Sequence, residues 1–165
     1  MINNKLRVDF QRDWYWQDGF LPEVSRLLLA NAMYIFNVEV ASAQQDMKEA
    51  TDMLLSVAGQ KKVAIRLRRA EYWKRDLTIR SVRSSGMKTE LEKIQAGHGD
   101  LYLYGWTHDL TISEWMLIDL HKLRASGLLA HYGTIRNRDR ATGFVAIPYY
   151  MLRDYGCVLN ARVLR

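Results

Sequence analysis

Lys62–Arg68, KVAIRLR, is the stretch on which the reading of the fold turns. Val63, Ile65 and Leu67 alternate with Ala64, Arg66 and Arg68, the two-residue period of a strand with one apolar and one cationic face. Thr51–Val57 (TDMLLSV) before it and Leu77–Val82 (LTIRSV) after it are equally short and β-branched. With Ala58–Lys61 as a hairpin loop, the three read as consecutive strands of a meander. Ser84-Ser85-Gly86 breaks the pattern, and Lys88–Ala96 follows as a helix with Leu91 and Ile94 on its apolar side, stopped at Gly97-His98-Gly99. Asp100–Trp106 (DLYLYGW) and Glu114–Leu120 (EWMLIDL) then form a strand pair joined by residues 107–113.

Upstream, Phe20–Phe36 reads as a largely buried helix through Leu27, Leu28, Met33, Tyr34 and Ile35. Pro22 suits its first turn and Glu23 its positive end. Residues 37–49 read as a short strand and a polar connection, and Trp14, Tyr15 and Trp16 as aromatic groups docked on the body. Downstream, Leu123–Leu129 reads as a short helix and Phe144–Ile147 as a strand. Pro148 opens a helix through Leu152, and Val158–Leu164 is a final strand. The expected fold class is α/β, a mixed central sheet flanked by helices. It forms a single domain over 1–165, with a core of about 20–120 and a C-terminal extension of about 121–165.

The chain has 165 residues, 24 Lys and Arg against 18 Asp and Glu, a net charge of +6, and one cysteine. These are globular values, and one cysteine excludes an internal disulfide framework and a four-cysteine zinc site. No apolar run approaches the roughly 18 residues of a membrane span. The first residues, MINNKLRVDFQRDWYW, lack an apolar signal core, so the expected location is cytoplasmic. Residues 61–93 alone carry eleven Lys and Arg against four Asp and Glu, which confines the basicity to one stretch of the chain. Arg136, Arg138 and Arg140 form a smaller cluster around Asp139.

Arg66, Arg68 and Arg80 fall on the strand faces opposite the aliphatic ones. With Thr78 they make a cationic patch suited to phosphate, which Arg83, Lys88 and the Ser84-Ser85-Gly86 turn extend. Cross-strand pairing with Asp52, Asp76 or Glu71 is the competing reading. Asp52, opening a strand, is read either as a metal or phosphate-side acid or as a turn residue paired with an arginine. Tyr102, Tyr104 and Trp106 share one strand face and read as core rather than as a base-stacking row. His98, His108, His121 and His131 show no metal-ligand spacing, and His108-Asp109 reads as a solvated loop. Cys157 reads as a buried thiol. A nucleotide-binding glycine loop and a serine-hydrolase elbow are both missing from the sequence.

The order helix, three strands, helix, strand over Phe20–Trp106 resembles the core of the restriction-endonuclease-like superfamily, the PD-(D/E)XK nucleases. That resemblance implies a metal site. Glu23 would be the helix carboxylate and Asp52 the strand-opening Asp, with Arg66 and Arg68 where the family has Glu-x-Lys. A guanidinium cannot ligate a cation, so the second carboxylate would have to be Glu90, with Glu49 and Asp76 behind it. The resemblance therefore implies Asp52, Glu23 and Glu90 as catalytic residues, and Mg²⁺ held by Asp52 and Glu90. Arg66, Arg68, Arg80, Arg83 and Lys88 would sit on the backbone of nucleic acid, DNA being the expected partner. The small size resembles junction-resolving or phage-type nucleases, which implies a homodimer. A silent relative that keeps the binding face without catalysis is the companion reading. The alternative from another class is a phage or mobile-element protein that binds and blocks a host protein.

Overall fold

A computed structural model of the chain describes residues 15–31, 37–49, 52–57, 59–72 and 74–163. The main sheet has six strands: β1 (Asn37–Val40), β2 (Met53–Val57), β3 (Gly59–Arg69), β5 (Leu101–His108), β6 (Thr111–Asp119) and β9 (Val158–Arg162), in the order β1-β2-β3-β5-β6-β9. Only β3 and β5 run parallel, with Val63 opposite Leu101 and Arg68 opposite Trp106. The remaining pairs are antiparallel. A second sheet holds β4 (Asp76–Val82), β8 (Gly143–Pro148) and β7 (Ile135–Arg136) in that order. The helices are α1 (Leu21–Asn31), α2 (Ala43–Glu49), α3 (Glu90–Gln95), α4 (Leu120–Ala125), α5 (Leu128–His131) and α6 (Tyr149–Asp154). The expected mixed sheet with flanking helices is therefore present. No helix among the described residues is long and apolar enough to cross a membrane.

The alternation in β3 separates two cores. Val63, Ile65 and Leu67 join Met53, Leu103, Trp115 and Leu117 under α1, which contributes Val24 and Leu28, with Phe20 just ahead of it. Trp16 meets Phe20 edge-on at 5.3 Å between ring centres, and the Arg69 guanidinium lies 5.1 Å over the Trp16 ring. On the other face Ala64, Tyr102, Tyr104, Trp106, Met116 and Ile118 pack with Leu77 and Ile79 of β4 and Val145 and Ile147 of β8. Tyr102 and Tyr104 are wholly buried, as the core reading of that row requires.

Three expectations need correction. The meander stops after two strands. Both edges of β3 are occupied, by β2 and by β5, so β4 leaves the main sheet and pairs with β8, Leu77 opposite Ile147. The chain between β3 and β4 is a single 3-10 turn, Ala70–Tyr72, followed by Arg75 at φ +48°, which redirects the strand. The C-terminal extension is no appendage: β8 sits in the middle of the second sheet, β9 forms an edge of the first, and Leu123, Leu128, Leu152 and Cys157 are core. The polar connection of 37–49 contains α2, whose start is held by Ser42 and Gln45, the Ser42 N–H donating to Gln45 Oε1 at 3.0 Å. Gln45 N–H in turn meets Ser42 Oγ, so two otherwise orphaned donors are satisfied.

Two boundaries also shift: the expected hairpin loop of 58–61 is strand from Gly59 on, and the expected helix of 123–129 is two, α4 and α5. α3 begins with a reciprocal box between Thr89 and Glu92, and ends with His98 N–H on Lys93 O and Gly97 at φ +92°. The connection expected over 107–113 is shorter, since β5 and β6 run on to a tight turn at Asp109–Leu110, Asp109 taking φ +52°. Trp14, Met33, Tyr34, Ile35, Thr51, Ala58 and Leu164 lie outside the described residues.

The α1 face gives a direct test of this packing. Leu28 is 1 % exposed and Leu29 is 49 % exposed. Leu28→Ala should cost about 2–5 kcal/mol in urea unfolding, and Leu29→Ala less than about 0.5 kcal/mol. Equal effects would mean that α1 is not docked on this face.

Candidate nucleic-acid interface

Arg66 and Arg68 project from the β3 face that looks toward β4 and α3. Glu90, the first residue of α3, meets them there. Its Oε2 accepts from Arg66 Nη1 at 3.0 Å and from the backbone N–H of Arg80 at 3.0 Å. Its Oε1 accepts from the Tyr102 hydroxyl. Arg68 Nη1 donates to Thr78 Oγ1 at 3.0 Å and to the Tyr104 hydroxyl at 3.3 Å, and those two hydroxyls are 2.7 Å apart. The tyrosine rings are core while their hydroxyl ends line a polar seam between the two sheets. The sequence signal for this was the choice of Tyr over Phe at positions 102 and 104.

The charges in the seam do not balance. Burial works against the Arg66 charge, but Glu90 foremost, with the hydroxyls of Tyr102 and Tyr104, holds that guanidinium protonated above its ordinary range. Arg80 shows the opposite direction. Burial first, then the positive charges of Arg66 and Arg83, pull it below the ordinary arginine value, with Glu90 opposing. Among the described residues no side chain accepts from the Arg80 or Arg83 guanidinium, because the Arg80 bond to Glu90 is made by its backbone. Burial pushes the Tyr102 hydroxyl well above its usual range, and the adjacent Glu90 charge adds to this. Lys88 is exposed on the approach to α3, with its charge near Glu92.

The three carboxylates that the resemblance brought to one metal have separate structural duties. Glu23 sits on α1, on the far side of the main sheet from Glu90. Its Oε2 accepts from Ile112 N–H at 3.1 Å, and its Oε1 lies 3.6 Å from Arg26. Asp52 stands immediately before β2 begins. Its backbone N–H donates to Val63 O, and its carboxylate takes the next ladder donor of β3, the N–H of Ile65. Glu90 has donors on both oxygens. Of the residues held in reserve, Glu49 pairs with Lys62, and Asp76 carries a buried oxygen without a partner. Among the described residues no three His, Cys, Asp or Glu are grouped to hold a metal. A carboxylate that already accepts from a guanidinium, an amide and a hydroxyl is a poor ligand for Mg²⁺, so this donor set does not fit the ion.

The Ser84-Ser85-Gly86 turn does not supply an anion site either. It is exposed and separated from α3 by Met87–Thr89, and the start of α3 is already filled by Thr89 and Glu92. His108 and Asp109 form an exposed pair at 3.1 Å in the β5–β6 turn, in keeping with the solvated reading. No sequence pattern announces His121 Nε2 at 3.0 Å from Asp100, whose other oxygen accepts from Lys62 N–H at 2.8 Å. Burial opposes the Asp100 charge, but those two bonds together hold its carboxyl below the usual range. Burial pushes the Cys157 thiol up, in keeping with an inert core residue.

No protein-family model matches the chain, and no curated protein is significantly similar to it.

Two outcomes follow from this geometry. Glu90→Gln leaves Arg66 and Arg80 facing each other across a neutral amide and should cost about 2–3 kcal/mol in chemical unfolding, the scale of breaking a half-buried charge pair. Asp76 has its carboxyl raised above 3.8, mainly by burial, with Arg68 opposing. A raised carboxyl binds its proton more tightly when folded, so its contribution to stability is largest at low pH and falls as pH rises. Asp76→Asn removes that loss. The stability of the variant relative to the parent should therefore increase from pH 3 to pH 7 in urea titrations, and a decrease would reverse the assignment.

Proposed function

We propose that the chain binds nucleic acid, DNA being the expected target, by holding the phosphate backbone on Arg80 and Arg83 with Lys88 beside them. The observation that carries this reading is the surplus of positive charge at the seam. Glu90 is matched by Arg66, while Arg80 is crowded by two cations against that one anion and, among the described residues, has no side-chain acceptor for its own guanidinium. An arriving phosphate would relieve that repulsion and offer the bidentate acceptor that guanidinium geometry favours. Within this reading Arg66 and Arg68 belong to the scaffold rather than to the contact surface, since Glu90, Thr78 and Tyr104 hold them.

The resemblance to restriction-endonuclease-like nucleases supports the reading in one respect. The succession α1, β2, β3, β4, α3, β5 follows the implied order, and β3 and β5 are parallel. It departs in having α2 between α1 and β2, and in placing β4 in a second sheet. The function proposed is binding. The donors on Glu90 favour a phosphate-holding surface over a metal-dependent cut.

Binding of a fluorescent DNA duplex, followed by anisotropy over a salt series, tests this. Affinity should fall steeply with salt, and Arg80→Gln with Arg83→Gln should weaken it about tenfold and flatten the slope by about 2, close to one unit per lost phosphate contact. Arg68→Gln should lower stability more than affinity. Absence of binding to duplexes of several sequences at 50 mM salt would sink the reading.

A further inference from the structure

The hairpin joining β7 and β8 carries Arg136, Arg138 and Arg140, and residues 133–141 are all exposed. Asp139 is the single acid between Thr134 and Tyr150, yet it neutralises none of them. Its Oδ1 accepts from Ala141 N–H and Thr142 N–H, both at 3.0 Å, and its Oδ2 from Thr142 Oγ1 at 2.9 Å. Those bonds to Thr142 also hold its carboxyl below the usual range, so it stays an inward-turned anion. The tip is further fixed by Asn137 N–H on Thr142 O at 3.0 Å, Asn137 Nδ2 on Thr142 Oγ1 at 2.8 Å, and Arg136 Nη1 on Arg140 O at 3.3 Å. No ion pair among the described residues involves the three arginines. A loop with this many internal bonds presents its cations already ordered, which lowers the entropic cost of using them.

Its position is set by the second sheet. Val82 faces Gly143 across one ladder, and Gly143 faces Arg136 across the next. Ser81 Oγ and Thr134 Oγ1 bond at 2.9 Å and tie the foot of the hairpin to β4. There is no room to loosen this join, because a Cβ at Gly143 would stand 3.0 Å from Ile135 O. Two strand spacings put the backbone of Arg136 about 10 Å from the end of β4, where Arg83 begins. That separation is close to the roughly 12 Å width of the major groove of a DNA duplex.

We infer that the β7–β8 hairpin tip is a second phosphate-contact element, placed so that its arginines reach the strand across a duplex groove from the one held at Arg80 and Arg83. This rests on the proposed nucleic-acid reading and narrows it: the ligand is double-stranded, with two backbones engaged at once. Single-stranded nucleic acid would use the Arg80 and Arg83 cluster alone.

The test compares a labelled duplex with its single strand, using the parent chain, Arg136→Gln/Arg138→Gln/Arg140→Gln, and Arg80→Gln/Arg83→Gln. The parent should prefer the duplex about tenfold or more. The hairpin variant should lose that preference, lower the duplex salt slope by about 2–3, and keep its single-strand affinity. The Arg80/Arg83 variant should lose affinity for both forms. Circular dichroism of the hairpin variant should match the parent, since its three changes are on exposed residues. Unchanged duplex affinity in the hairpin variant, with salt-dependent binding still present in the parent, overturns the hairpin assignment and leaves the proposed function standing. A parent that binds neither form overturns both.

Discussion

One carboxylate fixes the relation between the two sheets. Glu90 accepts hydrogen bonds from a guanidinium of β3, a backbone N–H of β4 and a hydroxyl of β5, so three strands from two sheets meet at the first turn of α3. The apolar cluster beneath it supplies most of the attraction between the sheets but has no direction of its own. Glu90 supplies direction. Its place at the start of α3 also sets its charge at the positive end of that helix, beside the Thr89–Glu92 box. With one fixed anion at the seam, only one guanidinium can be neutralised there, and Arg66 takes that role. The excess charge on Arg80 and Arg83 follows from this arrangement.

The cations of residues 61–93 thus divide into two kinds. Arg66 and Arg68 are framework groups, their donors used by Glu90, Thr78 and Tyr104. Arg80 and Arg83 are half-buried beside the seam, Lys88 is exposed next to them, and the hairpin arginines add an exposed group. Position in the fold separates them. Arg66 and Arg68 reach Glu90 and the hydroxyls from β3, whereas Arg80 faces the same seam from β4 and Arg83 and Lys88 lie past the end of that strand.

Short-range signals carried most of the fold. The alternation in KVAIRLR specified β3 and its two faces, and the Tyr102–Trp106 row specified a buried strand. Gly97-His98-Gly99 marked the end of α3, whereas its start, expected at Lys88, lies at Glu90 behind the Thr89–Glu92 box. What could not be read was pairing. Nothing local in Leu77–Val82 says that its partner lies more than sixty residues downstream in β8, because strand partnership depends on which edges are already taken. The same limit hid the role of residues 121–165, and left β7, only Ile135–Arg136, below the length at which a period shows. The candidate site was legible in part. The cationic patch of Arg66, Arg68, Arg80 and Thr78 was read from the sequence, but Glu90 was read as a metal ligand and not as the partner of Arg66. The two readings of Asp52, a metal or phosphate-side acid and a turn residue paired with an arginine, both overlook its bond from Ile65 N–H, because a strand-opening Asp and a ladder-capping Asp carry the same signature.

The order in which the chain becomes available to itself has a consequence for β9 and β8. Both arrive late: the middle strand of the small sheet is Gly143–Pro148 and the far edge of the large one is Val158–Arg162. During ribosomal synthesis β5 and β6 can zip together early, yet the face bearing Tyr102, Met116 and Ile118 is covered only in part, by β4 and α3, until β8 and β9 emerge. A nascent protein in that state shows a wide greasy flank and an unpaired ladder on β6. It is then most open to sticking to other chains, and this interval sets its demand for protection by chaperones.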